Sequence, residues 1–341
     1  MPAPASEAEL DELLSRPTPG VRETLARHPG DVLVLGAGGK MGPSISLMAR
    51  RALDQLGLGA RVIAVSRFSD SGLEARLKAA GVDTRRADLL APSALAALPD
   101  APNIIYMAGQ KFGTQGHPAT TWAMNAALPA FVAERFAGTR TVVFSTGNVY
   151  PLTPVDGTGP TEEDPVGPVG EYAMSCLARE RVFEHYALTR GTPVTIVRLN
   201  YAVELRYGVL VDTARRVLEG EPVPLAMGYA NLIWQGDANA RALQCLDLAS
   251  SPAMVLNVTG PEQLSIRRVA ERLGALLGRS PRLVGTEAPD ALLSDARRSI
   301  ELFGPPTIGP DTLIEWTAAW LKRGGRLLGK PTHFEERGGQ F

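Results

Sequence analysis

The 341-residue sequence is poor in cysteine and histidine: it holds two of the first, Cys176 and Cys245, and four of the second. Two thiols this far apart build neither a disulfide framework nor a Cys-type zinc site. The histidines (His28, His117, His185 and His333) are scattered and have no carboxylate at ligand spacing, so no metal site is expected. A dominant charge is also missing, since 35 Lys and Arg stand against 36 Asp and Glu. That balance offers no basic field to nucleic acid or to an anionic membrane. No apolar run approaches the ~20 residues that cross a bilayer. The opening residues up to Leu14 are acidic and lack the apolar core of a signal peptide. The sequon at Asn257–Thr259 is then a chance match, and a cytoplasmic protein is the expectation. What is present, 45% hydrophobic and 21% charged residues, suffices for a substantial core.

The most informative stretch begins at Asp31. Val32 to Leu35 read as a buried strand, and Gly36-x-x-Gly39-x-x-Gly42 follows at once. Ile45, Met48, Ala49, Ala52 and Leu56 then recur at helical spacing. Strand, glycine turn and helix together aim free backbone N–H groups at one point, a ready site for the pyrophosphate of a dinucleotide. The phosphate loop of nucleotide triphosphatases is a poor match, because Met41 follows Lys40 where Ser or Thr is required and Val34 stands where the first glycine should be.

Strand and helix signals alternate from there. Further strands are predicted at Arg61–Val65, Val82–Ala87, Asn103–Met107, Thr141–Phe144 and Pro193–Val197. Helices are predicted near Gly72–Ala80, Ala119–Phe136 and Val169–Leu188. Such alternation means a parallel sheet covered on both faces: an α/β, doubly wound (Rossmann) sheet with its crevice at the C-terminal strand ends. Past Asn200 the pattern loosens, with helices at Gly208–Glu219 and Leu264–Leu277 and one more strand at Ala253–Val258. The expected division is a helical extension over 1–30, a dinucleotide-binding domain over 31–200 and about 238–260, and a smaller α/β substrate domain over 201–237 and 261–341. Ser6 and Glu9 can cap a helix ending before Pro17–Gly20. Trp316 and Trp320 are expected in a core rather than a ligand cage, and the glycine-rich, aromatic-tipped tail from Gly329 on the surface, the alternative being that it closes over a site.

Two groups suggest chemistry. Tyr172 and Cys176 lie one turn apart on one helix face. Ser145 and Thr146 put hydroxyls at the end of a central strand, where the crevice should be. A hydroxyl beside a tyrosine is a plausible acid/base pair for a carbonyl or secondary alcohol.

Taken in order, these segments resemble the extended short-chain dehydrogenases/reductases of the NAD-dependent epimerase/dehydratase superfamily, over about residues 31–280. The resemblance rests on the glycine motif, Asp88-Leu89, the Met107–Gly113 segment, Asn125, Ser145 to Tyr150, Tyr172 with Glu180, Arg198 to Asn200, and Asn257 to Gly260 with Ser265. It implies that Gly36, Gly39, Lys40, Met41 and Gly42 meet the cofactor, as do Ser66, Arg67, Asp88, Leu89, Met107, Ala108, Gly109, Lys111, Asn125, Tyr172 and Asn200. It implies too that Tyr172 exchanges the proton and that Thr146, three residues before Val149, polarises the substrate oxygen. Ser145 should then pack or bond within the sheet.

Departures from the family pattern sharpen the expectations. Cys176 replaces the lysine that assists the tyrosine, and a thiol cannot draw a phenol of pKa near 10 down by about 3 units. Lys111 is the expected substitute, with Arg179 as the alternative. The stretch Tyr229–Asp237, where the family often carries an arginine for a nucleotide-sugar diphosphate, offers Asn231 and Trp234 but no cation. A small sugar, sugar acid, lactone or polyol is therefore expected, with Arg206 and Tyr207 as further contacts or, for Arg206, a solvated side chain. At the end of the second strand Ser66-Arg67 replaces the acid that favours NAD, so NADP is expected over NAD, with Lys40 assisting at the 2′-phosphate. The reading is an NAD(P)-dependent oxidoreductase or epimerase, by analogy a homodimer. The alternative is a dinucleotide-binding protein without turnover, a sensor or scaffold.

Overall fold

The computed structural model describes residues 2–111 and 116–340. Seven strands form one sheet: β1 (Val32–Leu35), β2 (Val62–Ser66), β3 (Asp83–Arg86), β4 (Asn103–Tyr106), β5 (Arg140–Thr146), β6 (Val194–Leu199) and β7 (Met254–Val258). All neighbours are parallel, in the order β7-β6-β5-β4-β1-β2-β3. The chain leaves β1 in one direction through β2 and β3, then returns to lay β4 on the other side of β1. That reversal opens a crevice at the C-terminal end of β1.

Alternate residues feed two layers. Val34, Ala64, Ile105, Val142, Val197 and Leu256 face the helices Gly42–Gln55 and Gln235–Gln244 through Ile45, Met48, Ala238 and Ala242. Leu33, Ile63, Ile104, Val143 and Ile196 face the helices Leu128–Arg135 and Gly170–Arg190 through Val132 and Phe183. Both faces being covered explains why the inner strands such as β1, β2 and β4 read as apolar runs, while the edge strand β3 does not.

A separate core gathers the later chain. The helices Val209–Glu219, Ile266–Leu277 and Pro310–Lys322 meet there through Val217, Leu273 and Trp316. Trp316 stands edge-on to Trp234, ring centroids 5.9 Å apart, and Trp320 is buried beside them. The N-terminal helix Glu7–Leu14 contributes Leu10 and Leu14 to this core, and its Ser6 hydroxyl accepts from the Glu9 N–H.

Three local expectations need correction. Pro17–Gly20 ends one helix but also starts another, Pro19–Arg27, because Thr18 caps it and Pro19 occupies the first turn, where its missing N–H costs nothing. The helix expected over Ala119–Phe136 is interrupted by a π turn at Ala123–Ala127 that turns Asn125 fully inward. The tail after Gly329 is not a surface appendage: Phe334 and Thr332 are buried, and Glu335 pairs with Arg216 at 2.6 Å. Asn257 is wholly buried in β7, so its sequon is inaccessible. Among the described residues no helix is long and apolar enough to cross a membrane.

Candidate active site

The glycine turn is shaped by close approach. Gly36 has φ of +93°, and a Cβ there would lie 2.6 Å from the Ala108 nitrogen. A Cβ on Gly42 would lie 2.3 Å from the Ala37 carbonyl oxygen, so the helix can start only this close to the strand if it starts on glycine. Gly38 and Gly39 are exposed, leaving bare backbone. Met41, which caps the 14-residue helix that follows, supplies no side-chain acceptor, so the helix start is open to an anion.

Two cavities flank this turn. The first, about 230 Å³, lies over β1–β4; Gly36, Gly39, Ser66, Arg67, Asp88 and Leu89 line it. Met107, Ala108 and Gly109 form its inner wall. The second, about 150 Å³, lies beyond β5 and β6 and is lined by Lys40, Met41, Lys111, Thr146, Tyr172 and Asn200. All but two of the residues expected to meet the cofactor or carry the proton chemistry thus border one cavity or the other. Gly42 heads the helix between them. Asn125 borders neither: its amide bonds the backbone of Gln110 and the hydroxyl of Ser175, and its Oδ1 accepts from Arg179 at 2.8 Å. It secures the loop after β4 from behind. Phe112 and Gly113, the end of that segment, lie outside the described residues.

In the second cavity the Tyr172 hydroxyl is hydrogen-bonded to Thr146 and to the Cys176 thiol. Thr146 ends β5; its hydroxyl accepts the Asn148 N–H and donates to Asn148 Oδ1 at 2.9 Å, which fixes it at the mouth of the sheet until a substrate oxygen takes over that proton. Burial holds the Tyr172 phenol well above its usual pKa, reinforced by the thiol and opposed by Arg179. Burial likewise raises the Cys176 thiol, so both groups are neutral near pH 7. Lys111 reaches over the phenol, Nζ 5.7 Å from the ring centroid, and burial draws it down to about 8. Arg179 comes from the helix turn below. Its guanidinium is buried, donating to the Phe144 carbonyl at 2.7 Å and to Asn125. A permanent cation therefore underlies the phenol and thiol on one side, and a titratable one stands on the other.

Behind this layer the Ser145 hydroxyl donates to Glu180, which lies between strand and helix and pairs with Arg198 at 2.8 Å. Ser145, expected to pack or bond within the sheet, is instead bonded to the helix behind it and also borders the second cavity.

Lys40 and Arg206 stand elsewhere than expected. The Lys40 ammonium turns away from Arg67 into the second cavity, donating to the Ala202 carbonyl at 2.7 Å and lying 3.8 Å from the Tyr207 ring centroid. It cannot assist a phosphate held at Arg67 from there. Arg206 is neither solvated nor a wall of the cavity; it is spent on Glu204 at 3.1 Å and Asp11 at 2.9 Å. Asn231 bonds Asn200 at 2.9 Å and Ser294, and Trp234 is in the core, so neither faces the cavity.

Thr332 and Tyr201 are among the lining residues that were not anticipated. Thr332 of the tail reaches the second cavity, held by N–H and hydroxyl bonds to Asp212 of 2.8 and 2.6 Å. Nothing in the sequence links residues 120 positions apart. Tyr201 lines the cavity with φ of +41°, a strained conformation for a bulky residue. Among the described residues no group of three or more His, Cys, Asp or Glu is arranged to hold a metal ion.

The sequence pattern of the NAD dependent epimerase/dehydratase family matches residues 32–232, more than half of the chain. The chain belongs to this family. It is accordingly an enzyme of the extended short-chain dehydrogenase/reductase type, built around a nicotinamide dinucleotide. No curated protein matches the chain. Similar solved structures include MoeE5 in complex with UDP-glucuronic acid and NAD, at 21% identity over 86% of this chain and 100% of that one, TM-score 0.68. UDP-glucose 4-epimerase of Thermotoga maritima has 17% identity over 86% and 99%, TM-score 0.71. UDP-glucuronic acid 4-epimerase of Bacillus cereus, in complex with NAD, has 18% identity over 86% and 99%, TM-score 0.70. At these identities the likeness is one of fold.

The residues present fit the family's cofactor. The uncapped helix start and bare Gly38-Gly39 backbone suit a pyrophosphate, and the first cavity suits an adenosine beside Asp88 and Leu89. Bound there, a nicotinamide dinucleotide supplies a hydride acceptor or donor.

Proposed function

We propose that this enzyme oxidises, reduces or epimerises a small sugar, sugar acid, lactone or polyol, with Tyr172 as the acid/base, Thr146 as the polarising hydroxyl and Lys111 in place of the family lysine. The observation that carries the reading is the hydrogen bond between the Tyr172 and Thr146 hydroxyls beneath Lys111. A substrate hydroxyl or carbonyl oxygen placed between them would exchange its proton with the phenol while Thr146 holds the oxygen. As the phenol gives up its proton, Lys111 and Arg179 stabilise the charge that develops on it. A small substrate is favoured over a nucleotide sugar by the 150 Å³ cavity, the tail residue Thr332 in its lining, and the commitment of Asn231 and Trp234 elsewhere.

The test is turnover of a panel of small sugars, sugar acids, lactones, polyols and UDP-sugars with NAD and NADP. Product analysis accompanies absorbance, because an epimerase returns its hydride and shows no net change. Turnover of UDP-sugars alone would overturn the small-substrate reading. Cofactor binding with no product from any member would favour the non-catalytic alternative, for which the thiol in the lysine's place is the supporting observation. Lys111→Met is expected to lower kcat about 10–100-fold, the effect of removing a cation worth one or two pKa units to the phenol; unchanged kcat would leave Arg179 as the compensating group.

NADP is proposed over NAD because Arg67 lines the first cavity at the end of β2, where it can pair with a 2′-phosphate. Arg67→Glu is expected to shift the ratio of NADP to NAD dissociation constants about 10–100-fold toward NAD, the size of a charge-assisted bond. Calorimetry with each cofactor measures it, and an unmoved ratio would refute the assignment.

A further inference from the structure

Resting on the proposed function, the geometry points to a carboxylate-bearing substrate: we propose that a sugar acid enters the second cavity with its carboxylate on Lys40, leaving its reacting carbon to Tyr172 and Thr146. A lysine in the glycine turn would ordinarily be read with the cofactor, yet this side chain crosses to the opposite cavity and ends on the backbone carbonyl of Ala202. Among the described residues it forms no salt bridge. The carboxylate whose field acts on it, Glu204, is already bonded to Arg206, which is bonded in turn to Asp11. Asp212, the other acid acting on it, is occupied by the N–H and hydroxyl of Thr332. The same cavity holds Lys111, whose charge opposes that of Lys40.

Lys40 thus brings into a cavity of about 150 Å³ an ammonium group that Glu204 and Asp212 influence from beyond salt-bridge reach. In keeping with this, burial brings Lys40 down to about 7, a cost that an entering anion would offset. A neutral sugar would leave that cost in place. The Ala202 carbonyl accepts one of the three ammonium protons, so two remain for the oxygens of a carboxylate. The partition of roles follows: Lys40 binds the carboxylate, and Lys111, over the phenol ring, serves the proton transfer.

The experiment titrates galacturonate and galactose separately into the full-length protein saturated with NADP, by calorimetry, for the wild type, Lys40→Met and Lys40→Arg. Wild type is expected to bind galacturonate about 10–100-fold more tightly than galactose, the range of a hydrogen bond to a charged partner. Lys40→Met should erase that preference while leaving galactose and NADP affinities within about twofold, and Lys40→Arg should restore most of it. Equal affinities in the wild type, or a preference that survives Lys40→Met, would overturn the proposal. So would a variant whose loss falls on NADP, since Lys40 would then belong to the cofactor. Tight, Lys40-dependent binding of galacturonate without turnover would uphold the carboxylate site and count against the catalytic reading alone.

Discussion

Tyr172→Phe is expected to lower kcat by about 10²–10⁴-fold, the range for loss of a positioned acid/base group. The dissociation constant for NAD(P) and the midpoint of chemical unfolding should move little, because the ring keeps its place and only the hydroxyl bonded to Thr146 and Cys176 is removed. The environment also sets the direction in which the group works best. A phenol held above its usual pKa is protonated throughout the neutral range and is a ready donor for reduction. Lys111, drawn down to about 8, is charged below that value and loses its charge as pH rises through it. At saturating substrate, whose carboxylate would keep Lys40 charged, reduction should therefore hold level up to about pH 8 and decline above it, as the cation that supports the departing proton disappears. In Lys111→Met that limb should vanish, leaving a lower rate without the decline. Rates measured in both directions from pH 6 to 10 would check this. A Tyr172→Phe variant within tenfold of wild type would remove the phenol from the chemistry.

The architecture was legible where one interaction dominates. Strands buried on both faces show as Val- and Ile-rich runs, and the helices between them repeat at their own period, so the seven-stranded sheet and its crevice follow from local patterns. The glycine turn was legible for the same reason: Gly36 and Gly42 answer to backbone contacts a few residues away or across one neighbouring strand. What could not be read depends on side-chain reach and on distant partners. Lys40 has room on either side of its turn, and only the positions of Ala202 and Tyr207, about which the turn carries no information, send it to the second cavity. The tail from Gly329 read as surface because it is rich in glycine, whereas Phe334 and the Thr332–Asp212 bonds tie it down. Asn125 matched a family position, but its contacts come from a π turn inside a helix whose periodicity gives no warning of it. Arg206 read as available because Asp11, which helps bind it, lies near the start of the chain, and because nothing local shows that Glu204, two residues before it, turns its carboxylate back onto it.

Arg198→Met should cost about 3–5 kcal/mol of stability, the penalty for leaving one member of a buried pair alone. Arg198 on β6 and Glu180 on the Tyr172 helix are both essentially sealed from solvent. Arg198 donates to both carboxylate oxygens, at 2.8 to 3.2 Å, and its remaining arm donates to the Tyr150 hydroxyl at 2.8 Å. Removing the guanidinium leaves Glu180 with Ser145 as its hydrogen-bond donor and withdraws a donor from Tyr150, whose hydroxyl also reaches Asn257 of β7. The loss is one of compensation and not of attraction, so a double variant, Arg198→Met with Glu180→Met, should recover most of it. Denaturant unfolding of the two singles and the double would close the cycle. If the double is no better than Arg198→Met alone, the uncompensated charge is not what destabilises. The same pair links stability to the site: Ser145, tethered to Glu180, is the residue before Thr146, and loosening it frees the strand end on which the polarising hydroxyl stands. In the double variant, stability regained without kcat would show that the buried pair serves to aim Thr146 more than to hold the sheet.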